Sequence, residues 1–195
     1  GLLWRDAQLR RFIATRGLLI ATALAPPYLL TLAGESGARE LGQLGFFVVA
    51  SALAGMLGGY VWGRLSDKSS RKVLMLSALL AAAVLAATAL LGLAAPALLQ
   101  NGVLAALLLF VLMIAYQGVR LGRATHIVDM APRDDRAAYT ALSNSIIGLL
   151  LLAGGLFGLL AELAGPAAVL LVFAAMSALA AVVASGLREE QISEA

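Results

Sequence analysis

The residues able to do chemistry fall in two places. The stretch GRLSDKSSRK, 63–72, sets five charges, Arg64, Asp67, Lys68, Arg71 and Lys72, between two long apolar runs. The four cations can hold a short turn at the water line. Asp67, an acid among bases, is suited to sit against a helix N-terminus or an arginine. The second place is inside the apolar runs, where Thr22, Tyr28, Thr31, Tyr116, Gln117 and Asn144 could hydrogen-bond a solute or one another. Neither set makes a catalytic centre. The chain has no cysteine, which excludes thiol catalysis, disulfides and cysteine-built metal sites together, and His126 is the only histidine. No Ser–His pair, paired carboxylate or metal cluster lies at one depth, and no G-x-x-x-x-G-K-(S/T) phosphate loop occurs. The chain reads as a non-enzyme that carries no cofactor.

The elements that must position these residues follow from composition. Of 195 residues, 62% are hydrophobic and 13% charged, against about 45–50% apolar and about 25% charged in a soluble domain. That is an integral membrane protein. Its net charge of +3 fits aqueous loops on one side of a bilayer rather than nucleic acid. A bilayer core takes roughly 20 apolar residues per helix. Six runs qualify, at 12–33, 42–63, 73–95, 103–121, 137–163 and 166–187. They are continuous and lack the alternation of a membrane barrel, so the reading is all-α: one domain over 1–195 with six transmembrane helices. The first run follows Arg10, Arg11 and Arg16 as a secretory signal would. It continues through Pro26, Pro27 and Tyr28 to Ala33, however, which is too long for a signal core.

Of the fourteen Lys and Arg residues, thirteen fall at one side of this arrangement and Arg39 alone at the other. The bias places both ends and the 63–72 turn in the cytoplasm, with the chain in a plasma or inner membrane.

Gly55, Gly59 and Gly63 repeat every four residues along the second helix, as Gly154 and Gly158 do on the fifth. Such stripes let membrane helices pack closely, as fixed seams or as sliding surfaces. Pro26 and Pro27 free carbonyls near the middle of the first helix, which is tolerated only where protein or water satisfies them. Broken helices near the midplane are common at transport sites, so Thr22, Tyr28 and Thr31 are expected to face a polar cavity. Tyr116 and Gln117 on the fourth helix and Asn144 on the fifth complete the set. The third and sixth helices carry little that is polar beyond Ser77, Thr88 and Ser177, and read as peripheral. No Asp or Glu lies deep in any helix, so this chain offers no proton carrier. His126 is expected in an interfacial loop. Arg120 and Arg123 are expected to end the fourth helix, and Arg133 to Arg136 to open the fifth, as charge-paired ends.

One motif is specific. Gly63, Asp67, Lys68, Arg71 and Lys72, preceded by GGYVW, resemble the G-x-x-x-D-(R/K)-x-G-(R/K)-(R/K) loop of the major facilitator superfamily of transporters. In that family the loop joins the second and third helices of each six-helix half on the cytoplasmic side. Ser70 stands where the family usually has glycine. Gln117–Gly118 is similar to a pair in the family's fourth helix, with Ile114 where many members carry arginine. The resemblance implies half of a twelve-helix transporter, built from two three-helix repeats. The degenerate loop, the hydrophilic tail REEQISEA and the amphipathic lead-in GLLWRDAQLRR point to the C-terminal half. The family also implies a gating role for Asp67 against a helix of the other half, with Arg71 positioning it. It implies a pathway lined by the first, second, fourth and fifth helices.

The expected function is secondary active transport of a small solute by alternating access. The partners would be an N-terminal six-helix half, the lipid bilayer and the solute. Two other readings stand beside it: a complete six-helix protein working as a homodimeric transporter, and a membrane scaffold or sensor that transports nothing. An isolated half would expose the surface meant for its partner, and dimerisation is the expected consequence.

Overall fold

The computed structural model describes residues 6–34 and 41–189. Its helices are α1 (Ala7–Leu18), α2 (Ile20–Gly34), α3 (Leu41–Ser66), α4 (Ser70–Ala94), α5 (Pro96–Leu99), α6 (Gly102–Met130), α7 (Arg136–Ala153), α8 (Gly155–Ala164) and α9 (Pro166–Ser185). Local chemistry starts several of them. Asp6 accepts from the Gln8 and Leu9 amides at the head of α1, Ser69 from the Lys72 amide at α4, and Asn101 from Val103 and Leu104 at α6. Each satisfies amides that a helix start leaves without an internal acceptor. Gly165, with φ of 84°, turns the chain sharply before Pro166 opens α9, a conformation in which glycine carries no Cβ penalty.

Six spans among the described residues are long and apolar enough to cross a bilayer: α1–α2, most of α3, α4, α6, α7–α8 and α9. Three boundaries depart from the sequence expectation. The fourth helix runs to Met130 instead of ending near 121, because GRATHIVDM contains no breaker until Ala131–Pro132. Arg120 and Arg123 therefore lie inside it. The first span breaks at Leu19 rather than at its prolines. The Leu19 carbonyl there takes both the Thr22 amide (3.1 Å) and the Thr22 hydroxyl (2.8 Å), while α2 continues through Pro26 and Pro27. The fifth span breaks at Gly154, where the Gly154 amide bonds Leu151 and the Phe157 amide bonds Gly154, a three-residue spacing that tightens the turn.

The main contacts between spans are kept when the first three spans are exchanged with the last three. The third and sixth spans pair with each other through α4 and α9. The second packs on the fourth, as the fifth packs on the first, and the third packs on the fourth, as the sixth packs on the first. The exchange is unequal in degree, since the fifth span touches its neighbours far less than the second does. Leu85, Leu112, Leu170 and Phe173 fill the main core, and Phe12, Leu74 and Ala184 a second one nearer the basic end. The third and sixth spans are thus not peripheral to this unit. Half of the most apolar stretch of each is buried, against 28% for the second span and 6% for the fifth. Their poverty in polar groups marks them as the central pair.

Lipid tails are as apolar as leucine, so close contact and hydrogen bonding hold such helices together. The tightest seam lies on α6. A Cβ added to Gly118 would come within 2.7 Å of both Ser77 Cβ and the Trp62 ring, and one on Gly122 within 3.0 Å of Val73 and Leu74. Of the expected stripe glycines, Gly154 makes a comparably close approach and the others do not. Gly55 only meets the Gln117 side chain at 3.6 Å, and Gly154 faces Leu24 at 3.1 Å. Gly59, Gly63 and Gly158 face open space, so they are not seams inside this unit.

Candidate functional site

At the basic end, the turn from α3 to α4 is knitted to the chain's last described residues. Arg71 pairs with Glu189 at 2.8 Å and donates to the Leu187 carbonyl at 3.3 Å, and the Ser69 hydroxyl also bonds Glu189. Ser70 contacts His126 Nδ1 and donates to Asp129, each at 3.0 Å, and Ser66 donates to Thr125 at 2.9 Å. These bonds join α4 and α3 to α6. The first span joins through Arg11, which donates to the Gly186 carbonyl, and through Tyr139 on α7, whose hydroxyl donates to Asp6 at 2.7 Å. Burial would raise the Asp6 carboxyl. The hydrogen bonds from Tyr139, Leu9 and Gln8, with the charge of Arg188, hold it below the usual aspartate range.

Two expectations change here. His126 is not in a loop. It is 1% exposed within α6, its ring 5.4 Å from that of Phe12, because the helix continues past the predicted end. Arg71 does not position Asp67; its guanidinium is committed to Glu189 and Leu187. Asp67 is exposed beside Arg64 and Lys68 on an open groove of about 630 Å³; its amide bonds the Gly63 carbonyl, but its carboxylate has no hydrogen-bond or ion-pair partner among the described residues. Ser69, not Asp67, caps α4. Lys72 is exposed on the first turn of α4.

The deep polar residues do not converge as a set. Tyr28 packs edge-on against Phe173, with ring centroids 5.8 Å apart, beside the main core. The exposed Thr31 bonds the Pro27 carbonyl, one of those near the prolines, so its hydroxyl serves its own helix. Gln117 turns toward the second span and packs on Gly58. Thr22 and Tyr116 do meet at one feature, a narrow groove of about 60 Å³ between the first, fourth and fifth spans, and Asn144 bonds Arg16 on its wall. Its walls carry Arg16, Arg120 and Arg123 together with Thr22 and Tyr116. Arg16 reaches across to α7. One terminal nitrogen donates to Ser143 and the other to Asn144 Oδ1 at 3.0 Å, while its carbon lies 5.6 Å from the Phe12 ring centre.

These arginines were read as positive charges at helix ends, and the charge pairing expected of Arg120 and Arg123 is absent among the described residues. The signal was present in the spacing. Tyr116, Arg120 and Arg123 stand at i, i+4 and i+7, one helix face, and Arg16 sits inside the first span with Ser143 and Asn144 opposite. At the head of α7, Arg136 donates to the Val128 carbonyl at 2.9 Å, serving the unpaired C-terminal carbonyls of α6.

Comparison with known proteins places these features in context. The family-wide sequence pattern of the Major Facilitator Superfamily matches residues 12–194. The staphyloferrin B transporter of Staphylococcus aureus (strain NCTC 8325 / PS 47) is 37% identical over 81 residues. Those residues are 42% of this chain but only 19% of that protein, which is therefore more than twice as long. No solved structure matches.

Proposed function

Because the chain belongs to the Major Facilitator Superfamily, we propose that it is the C-terminal half of a secondary active transporter moving a small solute by alternating access. The observation that carries this is the uneven covering of the bundle. The second and fifth spans, related by the exchange of repeats, are the least buried, and both present glycines with nothing against them, Gly59 and Gly158. Two equivalent open faces on one unit suit a second six-helix unit rocking against it. The greater length of the similar staphyloferrin B transporter agrees with a missing half. The basic end, where both ends of the described chain meet, is the cytoplasmic end on this reading.

Asp67 then acts as a latch. It is the exposed acid of a turn whose other charged members are fixed or basic, and its partner is a helix N-terminus or cation of the other half. Alternating access is tested by cysteine labelling, with any cysteine beyond these 195 cysteine-free residues first replaced by serine. Tyr116→Cys in the protein at its native length should be labelled from the cytoplasmic side and protected when transported solute is added, staphyloferrin B being the first to try. Asp67→Asn should shift the labelling balance. Labelling that neither solute nor Asp67→Asn alters would overturn the proposal.

A further inference from the structure

Several of the described cations have a structural partner at the basic end. Arg71 ends on Glu189, Arg136 and Arg11 end on backbone carbonyls, and Arg64 lies over the exposed Tyr60 ring at 4.6 Å. Arg16, Arg120 and Arg123 converge on one groove, and no carboxylate lines it among the described residues. Arg120 and Arg123 make no hydrogen bond or ion pair there. Arg16 is held from three directions by neutral groups, the Ser143 hydroxyl, the Asn144 amide oxygen and the Phe12 ring; its buried Nε–H has no acceptor, as is also true of Arg71 and Arg136. A guanidinium oriented in this way, with donors left over and like charges beside it, is arranged to receive an anion.

Depth and size agree. Arg16 lies ten residues beyond Asp6 and Arg120 ten residues before the end of α6. At 1.5 Å per residue both stand about 15 Å from those ends. At about 60 Å³ the groove has room for at least one small hydrated group such as an oxyanion head. Tyr116 and Thr22 also line it, the Thr22 hydroxyl being bonded to the Leu19 carbonyl.

We propose that the groove between the first, fourth and fifth spans is an oxyanion site, binding one carboxylate or phosphate group on Arg16, Arg120 and Arg123. The proposal deepens the transporter reading by giving its solute an anionic end. The same chemistry is offered by the head group of an anionic lipid, and the test separates the two sources.

The experiment uses the protein at its native length in nanodiscs of phosphatidylcholine, with citrate as the soluble probe and the thermal unfolding midpoint as the readout. Citrate should raise the midpoint saturably. Arg16→Gln should weaken the apparent affinity about ten- to a hundredfold, the worth of a hydrogen bond to a charged group, and Arg16→Lys by less. Arg120→Gln, at an exposed residue with no bond to lose, should also weaken it and serves if Arg16→Gln does not fold. Arg64→Gln should leave the effect unchanged. In discs containing phosphatidylglycerol, an undiminished citrate effect identifies a soluble oxyanion. A higher midpoint that depends on Arg16 or Arg120, with the citrate effect lost, identifies a lipid head group. If citrate and phosphatidylglycerol stabilise the variants as much as the wild type, or stabilise neither, there is no such site. A native product no larger than this chain would instead defeat the half-transporter reading and leave the binding result standing.

Discussion

Replacing Gly118 by alanine tests whether the seam on α6 holds the bundle together. The added methyl would stand 2.7 Å from Ser77 Cβ and 2.7 Å from the Trp62 ring. Neither neighbour can swing away cheaply. Ser77 Cβ is fixed to the α4 backbone, and its hydroxyl bonds the Val73 carbonyl at 2.7 Å. The Trp62 ring is pinned by its Nε1–H, which donates to the Ile114 carbonyl at 2.8 Å. Forcing one methyl into such a site costs about 1–3 kcal/mol, while alanine regains up to about 1 kcal/mol of helix propensity over glycine. The expected net loss is about 1–2 kcal/mol. Gly59→Ala is the matched control, because its Cβ meets nothing within 4 Å in this unit and only the propensity gain applies. Unfolding of the 195-residue chain by sodium dodecyl sulfate, followed by loss of helical circular dichroism, measures both. Gly118→Ala should unfold at lower detergent than wild type, and Gly59→Ala at equal or higher detergent. A Gly118→Ala chain as resistant as wild type would refute the packing described for α3, α4 and α6.

Three further outcomes follow from the basic end. Ser70→Ala removes the hydroxyl shared by the buried His126 and Asp129, and should cost about 1–3 kcal/mol in the same unfolding assay. Glu189→Gln breaks the pair with Arg71, whose side chains are 13% and 30% exposed. This should loosen the segment after α9 by about 1 kcal/mol and speed trypsin cleavage at Arg188 about fivefold. The Asp6 carboxyl titrates below its ordinary value in the fold. Its contribution is therefore fully present above the ordinary aspartate range and lost as pH falls through the lowered value. Tyr139→Phe, which removes one cause of that lowering, should flatten the acid limb of a stability–pH curve.

The spans were legible because each is a continuous apolar run broken by charge or by Gly and Pro. The α3–α4 turn was legible because its motif is local. The end of α6 was not, since GRATHIVDM is amphipathic and a count of apolar residues stops before it. That one extension moved Arg120 and Arg123 inside a helix and buried His126. The glycine stripes show the limit of periodicity. A spacing of four puts Gly55 and Gly59 on one face, but only the packing reveals that the partner of α6 meets Gly118 and that Gly59 meets nothing. Arg16 was visible as one more positive charge. Its role depends on Ser143 and Asn144, more than a hundred residues away, and on the break at Leu19, none of which a local reading contains.

The central claim is that this chain is half of a larger transporter, and the size of the native product tests it most directly. An antibody raised to the tail REEQISEA, used on a denaturing gel of source membranes, should reveal a band at about twice this chain's mass, as two joined six-helix halves require. A band at this chain's own mass would contradict the account and leave a six-helix protein that must find its partner elsewhere.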